Sequence, residues 1–308
     1  MVLQRMKIPY LAHFGLIDEP YSTSPNPRYL YISPTHNLAL EKTRWTIAAK
    51  RGLAIVLGAV GTGKTTLARE LAMRMEDEPE AEYVFITNPN FPTPNQLLRA
   101  IIQEFGVPET SKNYLHLLNI FKNYLTDQAT QHRKTTVLII DEAQTLKPQL
   151  LELLRQLMNY ESNDQKFLQV VLFAQEEFRA RLQHARYRNL VNRTAMSALL
   201  GNLSPEETTA MLKHRWLVAG GKDFPFTDEA LERIYHYSNG IPRTQVILAD
   251  NALLAAFLEG THKIEAGVID LVVADRGLPD TQPAPMPPTP NGKQPEKKSQ
   301  SVRVRRRV

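Results

Sequence analysis

Residues 58–65 restrict the possible folds more than any other part of the sequence. This segment reads Gly58-Ala59-Val60-Gly61-Thr62-Gly63-Lys64-Thr65 and fits the pattern G-x-x-x-x-G-K-[ST] at every fixed position. A phosphate group needs a tight turn that aims several backbone N–H groups inward, and glycine permits that turn because it has no side chain. The pattern therefore predicts a phosphate-binding loop.

The residues on both sides of the loop supply the structural context that the pattern needs. Residues 53–57 (LAIVL) predict a buried strand, and Leu67 and Leu71 lie four apart, which predicts an amphipathic helix. Lys64 is expected to contact the β- and γ-phosphates of ATP, and Thr65 to place its hydroxyl on Mg²⁺. We expect nucleotide contacts from the whole loop and from Thr66. A glycine-rich turn without a ligand is the alternative, but it does not explain Lys64 and Thr65 in register.

A second apolar run ends in two acids. Residues 137–140 (VLII) predict a buried parallel strand of the Walker B type, and Asp141 and Glu142 follow it. Asp141 is expected to hold Mg²⁺, directly or through water, and Glu142 to polarise the attacking water as general base. Neighbouring strand residues point to opposite faces, which would separate the two roles. The alternative is that the acids only cap the next helix.

Further runs complete an α/β pattern. Residues 83–87 and 167–174 predict strands, and helical spacing predicts helices at 96–105, 115–125 and 150–158. Gln175 follows the last of these strands, at the edge where ligands lie in doubly wound sheets, so it is a candidate for contact with the γ-phosphate.

The first 50 residues are expected to wrap over the core surface. Their proline-rich part, residues 20–34, excludes a long helix, and a helix is predicted from residue 35 with Leu38, Trp45 and Ala49 on a shared face. Tyr31 and His36 lie just upstream of the phosphate strand. They are candidates for lining an adenine pocket, and packing explains them equally well.

Five arginines lie between residues 179 and 193: Arg179, Arg181, Arg186, Arg188 and Arg193. A solvated helix face explains such a run. The alternative is that one of them reaches the γ-phosphate bound by a neighbouring protomer.

The chain becomes helical after residue 203. Ser204-Pro205-Glu206-Glu207 predicts a capping box, and further helices are predicted at about 228–237 and 241–259. The domains are therefore expected at 1–50, 51–202, 203–275 and 276–308. The last contains seven prolines from Pro279 onward and is expected to be disordered.

Charge and composition limit the function classes. The net charge is +5, and residues 279–308 carry seven Lys/Arg against two Asp/Glu, so the tail accounts for all of the excess. Polybasic ends commonly bind nucleic acid weakly and in a salt-dependent way, and the alternative is that the tail has no specific role. The absence of cysteine excludes disulfides and thiolate metal sites. We expect a cytoplasmic protein, because residues 1–16 lack a signal peptide and no run reaches the length of a membrane span.

Taken in order, the phosphate loop, the Asp-Glu strand, Gln175, the arginine segment and Gly240-Ile241-Pro242-Arg243 resemble the AAA+ ATPases. More specifically, they resemble the ExeA (general secretion pathway protein A) type and its relatives among transposition ATPases such as TnsC, TniB and MuB. It covers about residues 8–260 and includes the amino-terminal pattern at Phe14-Gly15-Leu16, Glu19-Pro20-Tyr21, Tyr29-Leu30-Tyr31, His36 and Ala39-Leu40.

The resemblance implies a fold and three further roles. It implies a P-loop AAA+ core of three α/β/α layers with a parallel sheet, followed by a small helical lid. Gln175 takes the sensor 1 position, Arg193 the arginine finger and Arg243 the sensor 2 arginine. Two departures stand out: Ala174-Gln175-Glu176-Glu177-Phe178 replaces Gly-Gln-Pro-Glu-Leu, and Thr244-Gln245 replaces isoleucine-asparagine after Arg243. They leave Arg188 as a rival for the finger.

The resemblance also implies a function. We expect an ATP-hydrolysing homo-oligomer, a ring or a filament, that assembles on double-stranded DNA and regulates or recruits a transposase or similar partner without a membrane. The expectation rests on a basic tail standing where the secretion type continues into a membrane span and a peptidoglycan-binding domain. A secretion-assembly ATPase without DNA binding and a nucleotide-gated scaffold with little turnover are the alternatives.

Overall fold

The computed structural model describes residues 8–109 and 111–276. Its centre is a sheet of five parallel strands in the order β2-β3-β4-β1-β5. The strands are β1 (Leu53–Gly58), β2 (Ala81–Ile86), β3 (Thr135–Ile140), β4 (Leu168–Gln175) and β5 (Thr194–Leu200). Because all five strands are parallel, their carboxyl ends share one edge of the sheet. The predicted basic tail lies outside the described residues.

Twelve α-helices occur among the described residues. They are α1 (Pro9–His13), α2 (Pro34–Ala48), α3 (Lys64–Glu76), α4 (Pro94–Glu104), α5 (Tyr114–Thr130), α6 (Pro148–Leu157), α7 (Glu177–Leu182), α8 (Arg188–Val191), α9 (Pro205–Val218), α10 (Asp228–Ser238), α11 (Pro242–Glu259) and α12 (Ala266–Asp275). The predicted capping box is present at the start of α9, where Ser204 and Glu207 each accept a hydrogen bond from the other's backbone N–H.

Helices cover both faces of the sheet, as the predicted three-layer fold requires. On one face, α2 and α3 contribute Leu40, Leu67 and Leu71 to a buried cluster with strand residues such as Val56. On the other face, α4, α5 and α6 bury a larger set of leucines and isoleucines. The strands are therefore apolar on both sides, which explains why they read as continuous apolar runs in the sequence.

Two expectations about the first 50 residues are wrong. The segment before α2 packs mainly on the carboxyl-terminal helices, because Tyr10, Tyr21 and Tyr29 belong to the cluster that α9 to α12 form. Leu38 and Trp45 of α2 are exposed, at 54% and 59%. The face that α2 buries contains Ala39, Leu40 and Ile47 together with polar His36, Thr43 and Thr46, so a search for apolar spacing alone selects the wrong face.

Strand β5 was not predicted. It contains one threonine as its only β-branched residue and lies at the edge of the sheet, paired to β1 alone. Buried and exposed positions alternate along the strand, with Met196 and Leu200 buried and Ala195, Ser197 and Leu199 exposed. A period of two was therefore present in the sequence as a signal for this strand.

Candidate nucleotide-binding site

The phosphate loop connects β1 to α3 at the carboxyl edge of the sheet. Gly61 and Gly63 have φ angles of +85° and +94°, which are accessible to glycine without strain, and Gly63 is the N-cap of α3. A Cβ at Gly61 would also lie 2.9 Å from Cβ of Arg243. The glycines therefore serve both the turn and the close approach of the helical region.

Lys64 lies inside the loop. Its Nζ donates hydrogen bonds to the backbone oxygens of Gly58 at 2.9 Å and Ala59 at 2.8 Å, and its side chain is buried. Burial lowers the pKa of Lys64, and the acids Glu142 and Asp141 oppose that effect. The ammonium group is thus held at the loop beside two carboxylates.

Asp141 and Thr65 meet directly. Thr65 Oγ1 donates to Asp141 Oδ2 at 2.6 Å, and the backbone N–H of Glu142 donates to Asp141 Oδ1 at 2.9 Å. Burial raises the pKa of Asp141, although both hydrogen bonds oppose that effect. A hydroxyl and a carboxylate at hydrogen-bond distance are hard oxygen donors of the kind that Mg²⁺ takes alongside substrate phosphates. This pair therefore fits the metal predicted from the sequence.

The side chains of Glu142 and Asp141 point in different directions, but strand alternation, which was predicted, is not the cause. Strand β3 ends at Ile140, so strand alternation does not apply to the two acids. Glu142 instead has a φ of +51° in the left-handed region, which redirects the chain immediately after Asp141. Glu142 occupies the N-cap position of the short 3₁₀ helix Ala143–Thr145, yet its side chain makes no capping hydrogen bond. Its carboxylate faces Gln175 Nε2 at 3.5 Å instead.

Arg243 reaches the loop from the helical region. It is the second residue of α11, and its backbone N–H donates to the Gly61 oxygen at 3.2 Å. Gln175, Arg243 and Glu142 all line one cavity of about 350 Å³. The cavity also contacts loop residues Val60, Gly61, Thr62, Gly63, Lys64, Thr65 and Thr66. Sequence reasoning missed Arg215 of α9, which lines the same cavity and donates to the backbone oxygens of Pro20 and Ser22 at 2.7 Å each.

Tyr31 and His36 also line this cavity. His36 is buried beneath the loop, and its Nε2 lies 2.9 Å from the Thr62 oxygen. Because that oxygen only accepts, Nε2 carries the proton and Nδ1 accepts from the Ser33 hydroxyl at 2.6 Å. Burial lowers the pKa of His36, which favours this neutral form. Both ring nitrogens are therefore engaged within the protein, as the packing alternative requires.

Arg193 lies at the opposite edge of the sheet. It precedes Thr194, which pairs with Leu53 at the start of β1, whereas Gly58 at the end of β1 pairs with Gln175. Five residue steps along a strand span roughly 17 Å. Arg193 lines a cavity of about 680 Å³ there, together with Arg51, Arg155 and Lys166. The structure therefore separates Arg193 from the other predicted site residues of its own chain.

Fold and loop together define a P-loop ATPase fold of the AAA+ class. Residues 47–182 match the AAA domain family. It is 39% identical over 263 residues to general secretion pathway protein A of Aeromonas hydrophila. The match covers 85% of this chain, which spans about half (47%) of that relative's length. The resemblance to the ExeA type is confirmed.

Solved structures with this fold include one complex with DNA. The ORC2 protein of Aeropyrum pernix, solved with ADPNP and ADP, has a TM-score of 0.62 at 17% identity and aligns over 83% of this chain and 71% of its own. The Drosophila ORC bound to DNA reaches 0.65 at 16% identity, over 91% and 68%. The RuvB Holliday junction branch migration motor of Thermotoga maritima reaches 0.54 at 17% identity, over 79% and 70%. At these identities the likeness shows the fold.

Among the described residues, no helix combines the length and the hydropathy needed to span a bilayer.

Proposed function

We propose that this protein binds Mg²⁺·ATP in the cavity at the carboxyl edge of the sheet and hydrolyses it. The observation that carries the proposal is the convergence of four separate segments on one cavity: the phosphate loop, Glu142, Gln175 and Arg243. Each brings a group that phosphoryl transfer needs, and the acids lie within reach of Lys64 and Thr65.

The residues divide the work by their chemistry. The loop N–H groups and Lys64 hold the β- and γ-phosphates, and Thr65 and Asp141 hold Mg²⁺, which neutralises charge on the phosphate oxygens when bound. Glu142 orients and deprotonates the attacking water. Gln175 contacts the γ-phosphate, and Arg243 brings the helical region onto the nucleotide. Residues 203–275 then act as a lid that closes when ATP is present.

Two substitutions test this assignment. Lys64→Ala should abolish nucleotide binding, because it removes the cation that contacts the β- and γ-phosphates. Glu142→Gln should retain binding and lose turnover by roughly a hundredfold or more, since general-base catalysis contributes about 10²–10⁴. A fluorescent ATP analogue measures binding, and phosphate release measures turnover. Wild-type turnover in Glu142→Gln would refute the role of Glu142 as the base.

Self-association belongs to the same proposal. The side chains of Arg193 and Arg51 make no hydrogen bond or ion pair among the described residues, whereas Arg155 and Lys166 beside them are paired with Glu152 and Glu161. Arg193 lies about a strand length from its own phosphate loop. It therefore acts, on this proposal, as a finger on ATP bound by a second copy, within a ring or filament.

We further propose double-stranded DNA as the surface on which this oligomer assembles, with a transposase or similar protein as its client. One supporting observation is that the net charge of +5 is concentrated in residues 279–308. The other is that two loops after β2, which contain Thr93 and Lys112, lie close together and offer polar and basic groups to DNA. Asn95 Nδ2 donates to the Lys112 oxygen at 3.1 Å, which brings Lys112 close to the start of α4, where Thr93 is the N-cap. A secretion-assembly role without DNA is the second candidate, favoured by the identity to general secretion pathway protein A.

A tail deletion tests the DNA proposal. Removal of residues 279–308 should weaken DNA binding and flatten its salt dependence while ATP-dependent binding persists through the folded part. Each lost phosphate contact removes about 0.9 from the log–log slope, so three contacts are measurable by fluorescence anisotropy over a salt series. Lys112→Ala, in the folded part, is the matched comparison. Loss of all binding, with or without ATP, would reduce the tail to an electrostatic tether and refute assembly of the ATPase on DNA.

A further inference from the structure

Gln144 is a polar residue of the site to which the proposed mechanism gives no role. It lies in the 3₁₀ helix that follows Glu142, and its side-chain Nε2 donates to Glu142 Oε2. Its Oε1 accepts the backbone N–H of Gln175 at 3.1 Å. A carboxylate only accepts and an N–H only donates, so these partners fix the orientation of the amide. Gln144 therefore joins the ends of β3 and β4 directly beside the proposed base.

Arg181 of α7 holds the backbone of Gln144. Its Nη1 donates to the Gln144 oxygen at 3.0 Å, its Nη2 donates to the Leu146 oxygen, and its Nε lies 3.2 Å from the hydroxyl of Tyr187. The guanidinium carbon is 5.7 Å and 5.4 Å from the ring centres of Phe178 and Tyr187. A planar fork bound at three points and flanked by two rings has little freedom. The solvated-face explanation of the arginine run is therefore wrong for Arg181.

Glu142 needs such support. Its left-handed backbone is uncommon for a residue with a side chain, and such conformations persist where the surroundings over-determine them. Its carboxylate otherwise rotates about several bonds, while a general base has to stay aligned with the water it activates. The hydrogen bonds from Gln144 and Gln175 reach the same oxygen, Oε2, and leave Oε1 available.

We propose that Gln144 is a positioning residue that holds the Glu142 carboxylate for catalysis, and that Arg181 fixes Gln144 in turn. The inference rests on the proposed ATP hydrolysis. Because Arg181 belongs to the chain segment that ends at Arg193, its contacts with Gln144 also link Glu142 to that segment.

The first test is the kinetics of Gln144→Leu, which removes both hydrogen bonds at similar side-chain size. The value of kcat should fall roughly ten- to a hundredfold, as expected for a misplacement of about 1 Å, while KM and the affinity for ATP change little. Gln183→Leu is the matched control, since Gln183 is an exposed glutamine at the end of α7. Wild-type kcat in Gln144→Leu, alongside inactive Glu142→Gln, would overturn the inference and leave the proposed function intact.

The second test asks whether Gln144 acts through Glu142. In a Glu142→Gln background, Gln144→Leu should cause no further loss of turnover, whereas a merely structural role would cost the same in both backgrounds. Arg181→Met should likewise lower kcat less in Gln144→Leu than in the wild type. Equal losses in both backgrounds would overturn the positioning role.

A third readout needs no turnover. In protein labelled with ¹⁵N-glutamine, the side-chain resonance absent from Gln144→Leu belongs to Gln144. Glu142→Ala should shift that resonance, because it removes the acceptor of the amide hydrogen bond. An unchanged resonance would overturn the contact itself.

Discussion

At the scale of single residues, Asp141 is a buried acid, and its negative charge lowers the stability of the folded protein when no cation is bound. Asp141 is only 2% exposed, and its carboxyl group belongs to the proposed Mg²⁺ site. Because burial raises its pKa, the folded protein binds this proton more tightly than the unfolded chain does. This contribution to the free energy of unfolding is present at low pH and is lost as the pH rises through the folded-state pKa.

Asp141→Asn should therefore stabilise the nucleotide-free protein at neutral pH. We expect a gain on the order of 1 kcal/mol, or roughly 2–4 °C in melting temperature, as for other destabilised functional groups. Thermal unfolding measured across a pH series tests this, and the difference from wild type should shrink as the pH falls. Mg²⁺·ATP should raise the melting temperature of the wild type more than that of the variant. A destabilised Asp141→Asn at neutral pH would contradict the argument.

At the scale of elements, the junction between α10 and α11 determines where Arg243 lies. Asn239 and Gly240 end α10 with φ angles of +49° and +72°, and the Gly240 oxygen accepts the N–H of Leu203 at 2.8 Å. A Cβ at Gly240 would lie 2.2 Å from the Leu203 oxygen. The turn that aims α11 at the phosphate loop is therefore packed against the chain leaving β5.

Gly240→Ala should be much more damaging than Gly260→Ala. Both glycines have a φ of +72°, so both substitutions incur the left-handed penalty of about 1–2 kcal/mol. Space around Gly260 is open within 4 Å, whereas Gly240 has the backbone clash, which adds about 1–3 kcal/mol for overpacking. Denaturant unfolding measures the stability difference, and ATP affinity should fall in Gly240→Ala only. Equal losses of stability in the two variants would show that the α10–α11 junction shifts to relieve the clash, which would contradict the prediction.

At the scale of the whole molecule, the parallel sheet separates two edges that each carry a candidate site. The phosphate loop lies at the carboxyl edge, and the cavity with Arg193 and Arg51 lies at the amino edge. One chain therefore has the phosphate loop at one edge and, at the other, guanidinium groups whose side chains make no hydrogen bond or ion pair among the described residues. Head-to-tail contact between copies would bring the two edges together, as rings and filaments do.

Arg193→Ala should leave the ATP affinity of a protomer nearly unchanged and lower turnover by roughly 10³-fold or more, because a finger acts on charge that develops in the transition state. Mixing Arg193→Ala with Glu142→Gln protomers should restore part of the activity at contacts where an intact finger meets an intact base. Arg188→Ala, at the exposed start of α8, is the control for the rival position. Absence of rescue in the mixture would argue against a finger in trans.

The sequence alone determined where the candidate nucleotide-binding groups lie along the chain, because its signals are local. A phosphate loop needs glycines and a lysine within eight residues, and buried parallel strands read as short apolar runs, so β1, β3 and β4 and the groups at their ends could be found from spacing. Strand β5 was missed because it lies at the edge of the sheet and buries only some of its side chains, so it does not form an apolar run. Trp45 was assigned to the wrong face of α2 for a related reason, since the elements that pack against α2 decide which of its faces is buried.

Tertiary structure alone decided the contacts between distant segments. The left-handed backbone of Glu142 directs its side chain away from Asp141, and Gln144 lies between Glu142 and Gln175. The tyrosines of the first 30 residues pack on the carboxyl-terminal helices. The tertiary structure also put Arg193 a strand length from its own loop. None of these has a signature in local spacing, because each depends on the register and direction in which elements far apart in the chain are packed together.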